Sequence, residues 1–187
     1  MNASSTDRFL QQLRGHTAIS ALEETYRLET ISFVEHHRQR WWQRSNLVGH
    51  VTAAAWLVNA QHTQALLLHH AKLDRWLQPG GHIDDTDGSP ADGALREAME
   101  ETRLPALSMA DLNLFDVDVH TIPQRLDEAV HLHYDARYLV VTKNSNVTLG
   151  NESLGFRWIA LDEIANSNVD ESIMRLAKKT LLLERNK

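Results

Sequence analysis

The stretch QPGGHIDDTDGSPADGALREAMEETRL, Gln78–Leu104, sets two adjacent glycines and a run of aspartates ahead of three glutamates within five residues. Ser89, Pro90 and Asp92 read as a helix start: a hydroxyl at the N-cap, a proline at the first helical position and an acid near the positive end of the dipole. The spacing predicts a helix from about Pro90 to Thr102. Ala91, Ala94, Leu95, Ala98 and Thr102 recur at helical spacing, a stripe of small residues that lets the helix lie close to a sheet. On the other face Glu100 and Glu101 follow Glu97 by three and four residues, so their carboxylates can converge. Like charges so placed repel by a few tenths of a kcal/mol per pair in water. Two readings follow: the acids splay into solvent, or a cation joins them, and hard carboxylate oxygens suit Mg²⁺ or Mn²⁺ rather than zinc. Arg96, four residues before Glu100, can orient a carboxylate. Gly80 and Gly81 permit a tight turn where backbone approaches a ligand.

Strands flank this helix. GHVTAAAWLVNA (49–60) and QALLLHH (64–70) read as two, joined by a turn over 59–63, and LFDVDVHTI (114–122) as a third. In AVHLHYDARYLVVT (129–142) alternation puts Val130, Leu132, Tyr134, Ala136 and Tyr138 on one face, with His131, His133, Asp135 and Arg137 on a polar one. GFRWIAL (155–161) follows a Gly/Asn/Ser-rich loop, and ESIMRLAKKTLLLERN (171–186) is an amphipathic helix. Ahead of all these, Phe9, Leu10 and Leu13, then Ala21, Leu22, Tyr26 and Phe33, predict two helices between Thr6 and Arg44. The order implies an α+β or α/β sandwich, with residues 1–47 a helical extension and 48–187 the main domain.

The 187 residues carry a net charge of −6, which argues against broad attraction to nucleic acid or anionic lipid. HHRQRWWQR (36–44) could stack bases or bind anions; Trp41 and Trp42 could equally pack the extension onto the body. There is no cysteine, which removes disulfides, thiolate metal sites and cysteine nucleophiles. No run approaches ~18 apolar residues and no secretory pattern is visible, so a cytoplasmic protein with no membrane partner is expected. His69, His70, His82, His120, His131 and His133 make the chain histidine-rich. A softer metal site is one reading of them, and hydrogen-bonded rings on a half-wet strand the other.

Gly81, Asp87 and the run Arg96-Glu97-Ala98-Met99-Glu100-Glu101-Thr102-Arg103-Leu104 resemble the box of the Nudix hydrolase family. That box reads Gly, five residues, Glu, seven residues, Arg-Glu-apolar-x-Glu-Glu-x-Gly-apolar. Here eight residues, Gly88–Leu95, replace the seven, Asp87 stands for the first Glu, and Arg103 stands for the glycine after the helix. Leu104-Pro105 can still supply the stop. The resemblance runs from about Gly49 to Glu184 and implies an α/β/α sandwich with a mixed sheet between helices. It also implies Mg²⁺- or Mn²⁺-dependent hydrolysis of a diphosphate linkage, by water attack at phosphorus, in a small molecule such as a nucleoside diphosphate linked to X.

By the same resemblance Glu97, Glu100 and Glu101 are metal ligands, the Gly81 carbonyl is a further one, and Arg96 holds the carboxylates. Glu100 and Arg96 join the catalytic set with Glu152, the first candidate for an acid outside the box that serves as base or ligand; Glu128 is the second. Arg137 is able to pair a phosphate, and His133 and His82 to bond a base or sugar. The marks of ADP-ribose, dinucleoside polyphosphate, NADH and coenzyme A members are absent, which leaves X open. The related isopentenyl diphosphate isomerases need a cysteine, and this chain has none. A non-catalytic Nudix-like nucleotide-binding or regulatory module and an RNA 5′-pyrophosphohydrolase are the alternatives. The N-terminal helices could cover the sheet edge, cap the pocket or form a homodimer contact.

Overall fold

The computed structural model describes residues 1, 3–124, 129–167 and 170–185. In chain order the elements are α1 (Ala3–Gly15), α2 (Ala21–His36), β1 (Gly49–Asn59), β2 (Gln64–His70), β3 (Arg75–Leu77), β4 (Gly80–His82) and α3 (Pro90–Thr102). Then follow β5 (Ser108–Met109), β6 (Asp116–Ile122), β7 (His131–Thr142), β8 (Ser153–Ala160), α4 (Leu161–Ala165) and α5 (Glu171–Arg185). Among the described residues one eight-stranded sheet follows the path β3-β2-β1-β7-β5, with β4 on β1, β6 on β7 and β8 on β2. The class is α+β, a mixed sheet with helices and a helical N-terminal part. The chain divides into two compact units, and β1, α3 and β7 each begin in the first and end in the second.

The first unit comprises Met1–Ala54, Gly80–Ala94 and Leu112–Tyr138. Phe9, Leu10 and Leu13 on α1 are buried, each worth about 1.5–3 kcal/mol of apolar burial. Phe9 stacks on Trp41 with centroids 5.0 Å apart, and Phe33 of α2 stacks on Tyr134 of β7 at 4.2 Å. Trp41 Nε1 donates to Thr6 Oγ1 at 3.0 Å, and Trp42 Nε1 to Asp85 Oδ1 at 2.9 Å. The two tryptophans therefore pack the extension rather than stack bases, which withdraws the sequence feature that favoured an RNA substrate. His16 ties α1 to its surroundings, bonding Glu23 Oε1 at 2.7 Å and the Leu114 carbonyl at 3.0 Å.

Two local expectations are corrected here. The Gly80-Gly81 pair lies in a short strand, with Gly80 opposite Ala54 and Gly81 opposite Ala53 of β1, and not in a tight turn. Glycine is needed at position 80 because a Cβ there would stand 2.7 Å from the Ala54 Cβ and 2.8 Å from the Ala53 carbonyl oxygen. The face of β7 that carries His131, Asp135 and Arg137 is not half-wet, since all three are buried. β7 is buried along most of its length, so polar side chains there must find partners within the protein.

The second unit comprises Ala55–Pro79, Leu95–Asp111 and Leu139–Lys187. Its core joins Ala55, Leu57, Leu66, Leu68, Ala98, Leu104 and Val140, flanked by Leu95, Leu107, Leu149 and Trp158. β2 pairs antiparallel with β8 along its length, Gln64 opposite Ala160 and His69 opposite Gly155, and β3 adds to it. α5 is anchored through Thr180, whose Oγ1 accepts the Trp56 indole N–H at 2.8 Å.

Candidate active site

The acid-bearing helix starts as its sequence dictates. Ser89 Oγ accepts the Asp92 N–H at 3.2 Å and donates to Asp92 Oδ2 at 2.8 Å, satisfying a donor that a helix N-terminus leaves orphaned. Ala91, Ala94, Ala98 and Thr102 are buried, which turns the glutamates to the opposite face. There Arg96 Nη1 donates to Glu97 Oε1 at 3.0 Å and to Glu100 Oε2 at 3.4 Å. The Glu97 side chain is 18% exposed and that of Glu100 61%. One guanidinium thus offsets the repulsion between two carboxylates and fixes them side by side. Glu97 and Glu100 so held present hard oxygen donors, the kind that suits Mg²⁺ or Mn²⁺.

The far end of α3 is met by a loop. The Thr148 N–H donates to the Thr102 carbonyl and the Gly150 N–H to the Glu101 carbonyl, both at 2.9 Å, so carbonyls left unmatched by the last helical turn find partners. Glycine at position 150 lets the loop lie close, since a Cβ there would be tight, 3.1 Å from the Glu100 carbonyl oxygen and 3.3 Å from the Glu101 Cα. Two residues on, Glu152 presents an exposed side chain while its carbonyl accepts the Ala71 N–H at 3.0 Å. Its loop is therefore pinned to α3 on one side and to the end of β2 on the other. Glu128 lies outside the described residues. Arg103 takes the left-handed conformation, φ +49°, that the box glycine would otherwise supply, so the helix terminates in the glycine-type manner.

Asp87 is 7% exposed, and its Oδ2 accepts the Asp84 N–H at 2.8 Å while its own N–H donates to the Asp84 carbonyl at 3.0 Å. It closes the loop before α3, and Gly93 leaves room for it: a Cβ there would stand 3.0 Å from that carboxylate.

The remaining expected residues belong to the first unit. Gly81 sits in β4 opposite Ala53, and His82 opposite Thr52. His133 of β7 faces His120 of β6 across the ladder and lies, tilted or edge-on, within a group of imidazoles that includes His50, His82 and His131. Burial, then the Arg44 charge and the neighbouring rings, lowers the His82 pKa to about 4; burial and the surrounding His50, His120, His82 and His131 lower that of His133 to about 2. His50 stands at the head of an apolar run that masks it in the sequence, and only the sheet brings it to the histidines of Gly81-His82 and His131-x-His133.

Arg137 is buried, with Nε 2.8 Å from Asp135 Oδ2, Nη1 3.4 Å from Asp116 Oδ1 and Nη2 3.3 Å from Asp118 Oδ2. Those three carboxylates raise its pKa against the opposing effect of burial. Arg137 is thus engaged with three carboxylates inside the protein, and Asp116 and Asp118, one strand away, were not foreseen as its partners.

The NUDIX domain family model matches residues 48–178. None of the curated proteins matches the chain. Among solved structures it is similar to a NUDIX-family hydrolase from Clostridium perfringens, at 24% identity and TM-score 0.54, over 72% of this chain and 97% of that one. A dihydroneopterin triphosphate pyrophosphohydrolase from E. coli is 13% identical with TM-score 0.55, over 71% of this chain and 95% of that one. The NUDIX domain of Shewanella oneidensis NrtR, complexed with ADP ribose, is 17% identical with TM-score 0.52, over 82% and 98%. Identities at this level speak for the fold, whereas the family match spans most of the sequence and includes the acid helix: the chain belongs to the NUDIX domain family.

Proposed function

We propose that this Nudix-family hydrolase cleaves the diphosphate linkage of a small nucleotide-derived molecule, a nucleoside diphosphate joined to a second group, by attack of water at phosphorus. The observation that carries this reading is the Arg96 fork, which holds Glu97 and Glu100 together on a helix whose Glu101 carbonyl is tied to the loop of Glu152. A merely solvated acidic face would let these acids splay apart; here Glu97 is largely covered and clamped.

Glu97, Glu100 and Glu101 are the proposed ligands of Mg²⁺ or Mn²⁺, which when bound supplies charge neutralisation for the diphosphate and a lowered pKa for water. Arg96 is a positioning residue that keeps the Glu97 and Glu100 carboxylates in one orientation. Glu152 takes the proton of the attacking water on a carboxylate oxygen as the new O–P bond forms and the bridging P–O bond breaks, leaving two phosphorylated products. For the Gly81 carbonyl as a further ligand the support is the resemblance alone. The substrate class is favoured by the relatives, of which one is named for a pterin triphosphate and another holds ADP ribose.

The test is a panel of ADP ribose, nucleotide sugars, dinucleoside polyphosphates and nucleoside triphosphates with Mg²⁺ and then Mn²⁺, following released phosphate and monophosphate. Glu97→Gln and Glu101→Gln are each expected to lose at least ~10²-fold in kcat/KM, as befits groups that organise a metal. Full activity in both variants, or undiminished turnover in excess chelator, would overturn the assignment. Ligand binding with no turnover by the wild-type chain would make it a nucleotide-binding module instead.

A further inference from the structure

The first unit holds a second group of potential ligands, unlike the glutamates in every chemical respect. His50 on β1, His82 on β4 and His133 on β7 each offer a ring nitrogen, and the three nitrogens lie within 4.8 Å of one another. The sheet brings them together: β4 pairs with β1 two residues past His50, with Thr52 opposite His82, and the Leu132 N–H beside His133 donates to the Val48 carbonyl just before β1 at 3.2 Å. The rings sit 4.6 Å apart for His50 and His133, 5.0 Å for His50 and His82, and 5.3 Å for His82 and His133.

Burying imidazole nitrogens is costly unless each finds a partner. His133 Nε2 is a buried atom with no hydrogen bond. Beside the three, His131 lies 5.0 Å from His50 and 5.1 Å from His133, ring to ring. Its Nδ1 faces the Ala129 carbonyl at 2.9 Å; a carbonyl only accepts, so that nitrogen carries the proton and Nε2 carries the lone pair. A carbonyl that fixes the tautomer in this way is the usual support of a metal-binding histidine. On the other flank His120 Nδ1 lies 3.6 Å from Asp118 Oδ2.

We propose that His50, His82 and His133 form a binding site for a borderline divalent cation of the Zn²⁺ class, separate in chemistry from the carboxylate set of α3. Neutral imidazoles favour Zn²⁺, Co²⁺ or Ni²⁺ over Mg²⁺ or Mn²⁺, and a chain with no cysteine has histidine as its soft-side ligand. Zn–N bonds of about 2.0–2.1 Å in a tetrahedron place ligand nitrogens roughly 3.3 Å apart, so nitrogens already within 4.8 Å close by at most about 1.5 Å on binding, within reach of side-chain rotation. The proposal does not rest on the hydrolase reading.

The untagged full chain, stripped with chelator, should take up one Zn²⁺ per chain in equilibrium dialysis even in a large excess of Mg²⁺, and melt at a higher temperature when loaded. Co²⁺ should give the visible bands of a tetrahedral nitrogen-rich site. His133→Gln and His50→Ala should each weaken Zn²⁺ binding at least ~100-fold, the upper end of losses seen even for supporting residues. Glu97→Gln should leave Zn²⁺ binding unchanged. If the histidine variants fail to fold, X-ray absorption on the Zn²⁺-loaded wild type decides: imidazole nitrogens at about 2.0 Å support the site, and an oxygen-only shell overturns it. Binding unaltered in His133→Gln, or abolished by Glu97→Gln, also overturns it.

Discussion

At Arg103 the backbone turns left-handed, φ +49°, immediately after Thr102 ends the acid helix. An L side chain crowds the neighbouring carbonyl in that conformation, at about 1–2 kcal/mol, and glycine does not. Arg103→Gly recovers most of this and gives some back as added freedom of the unfolded chain, so a net stabilisation of about 0.5–1 kcal/mol is expected. For a chain of this size that is a rise of about 2–4 °C in Tm per kcal/mol, readable in a thermal melt; an unchanged or lower Tm would mean that the arginine side chain contributes something that offsets the strain. Arg137 makes the complementary point: its charge is spent on Asp116, Asp118 and Asp135, which a strand alternation cannot reveal because two of the three lie on another strand.

Between elements, the contact of the Thr148–Gly150 segment with the end of α3 sets where Glu152 can be. Gly150→Val puts a branched side chain where even a Cβ would meet the Glu100 carbonyl at 3.1 Å, and the loop must retreat from the helix. The expected result is a fall in kcat of the hydrolysis with a smaller change in KM, measured against Gly150→Ala, whose single methyl asks the neighbours to give by only a few tenths of an ångström. Equal kcat in both would dissociate the loop from the chemistry. α3 was legible because cap, stripe and acids all obey one period, and the predicted span Pro90–Thr102 is the observed one. The N-terminal helices, β1, β2 and α5 were legible from their apolar patterns for the same reason. β3, β4, β5 and α4 were not: each has two to five residues, too few for any period, and β4 is formed by two glycines and a histidine whose strand character comes from pairing with β1. The glutamates and Arg96 could be read from local spacing; His50, Gly150 and the partners of Arg137 could not, because only the sheet and a loop contact bring them to their neighbours.

For the molecule as a whole, the buried imidazoles tie stability to pH. An unfolded histidine titrates near 6.5, whereas burial and neighbouring charges hold His82 down at about 4 and His133 at about 2. Below pH ~6.5 the unfolded chain therefore binds protons that the folded chain refuses; the stabilisation present above that pH is lost as the pH falls towards the folded values. In chelator, the unfolding free energy should drop between about pH 7 and pH 5 with a slope of roughly 1 kcal/mol per pH unit for each ring, with the Tm falling alongside, and His133→Gln should flatten it. A flat profile in the wild type would show that these rings take up protons in the folded state. No helix among the described residues is long and apolar enough to cross a membrane. The N-terminal helices also reach the loop ahead of the acid helix, where Ser5 Oγ donates to the Gly88 carbonyl at 3.1 Å and the Trp42 indole to Asp85. That indole is a built-in fluorophore: its emission depends on the bond to Asp85, so any ligand or ion that shifts the loop before α3 changes the light the protein emits, with no label attached.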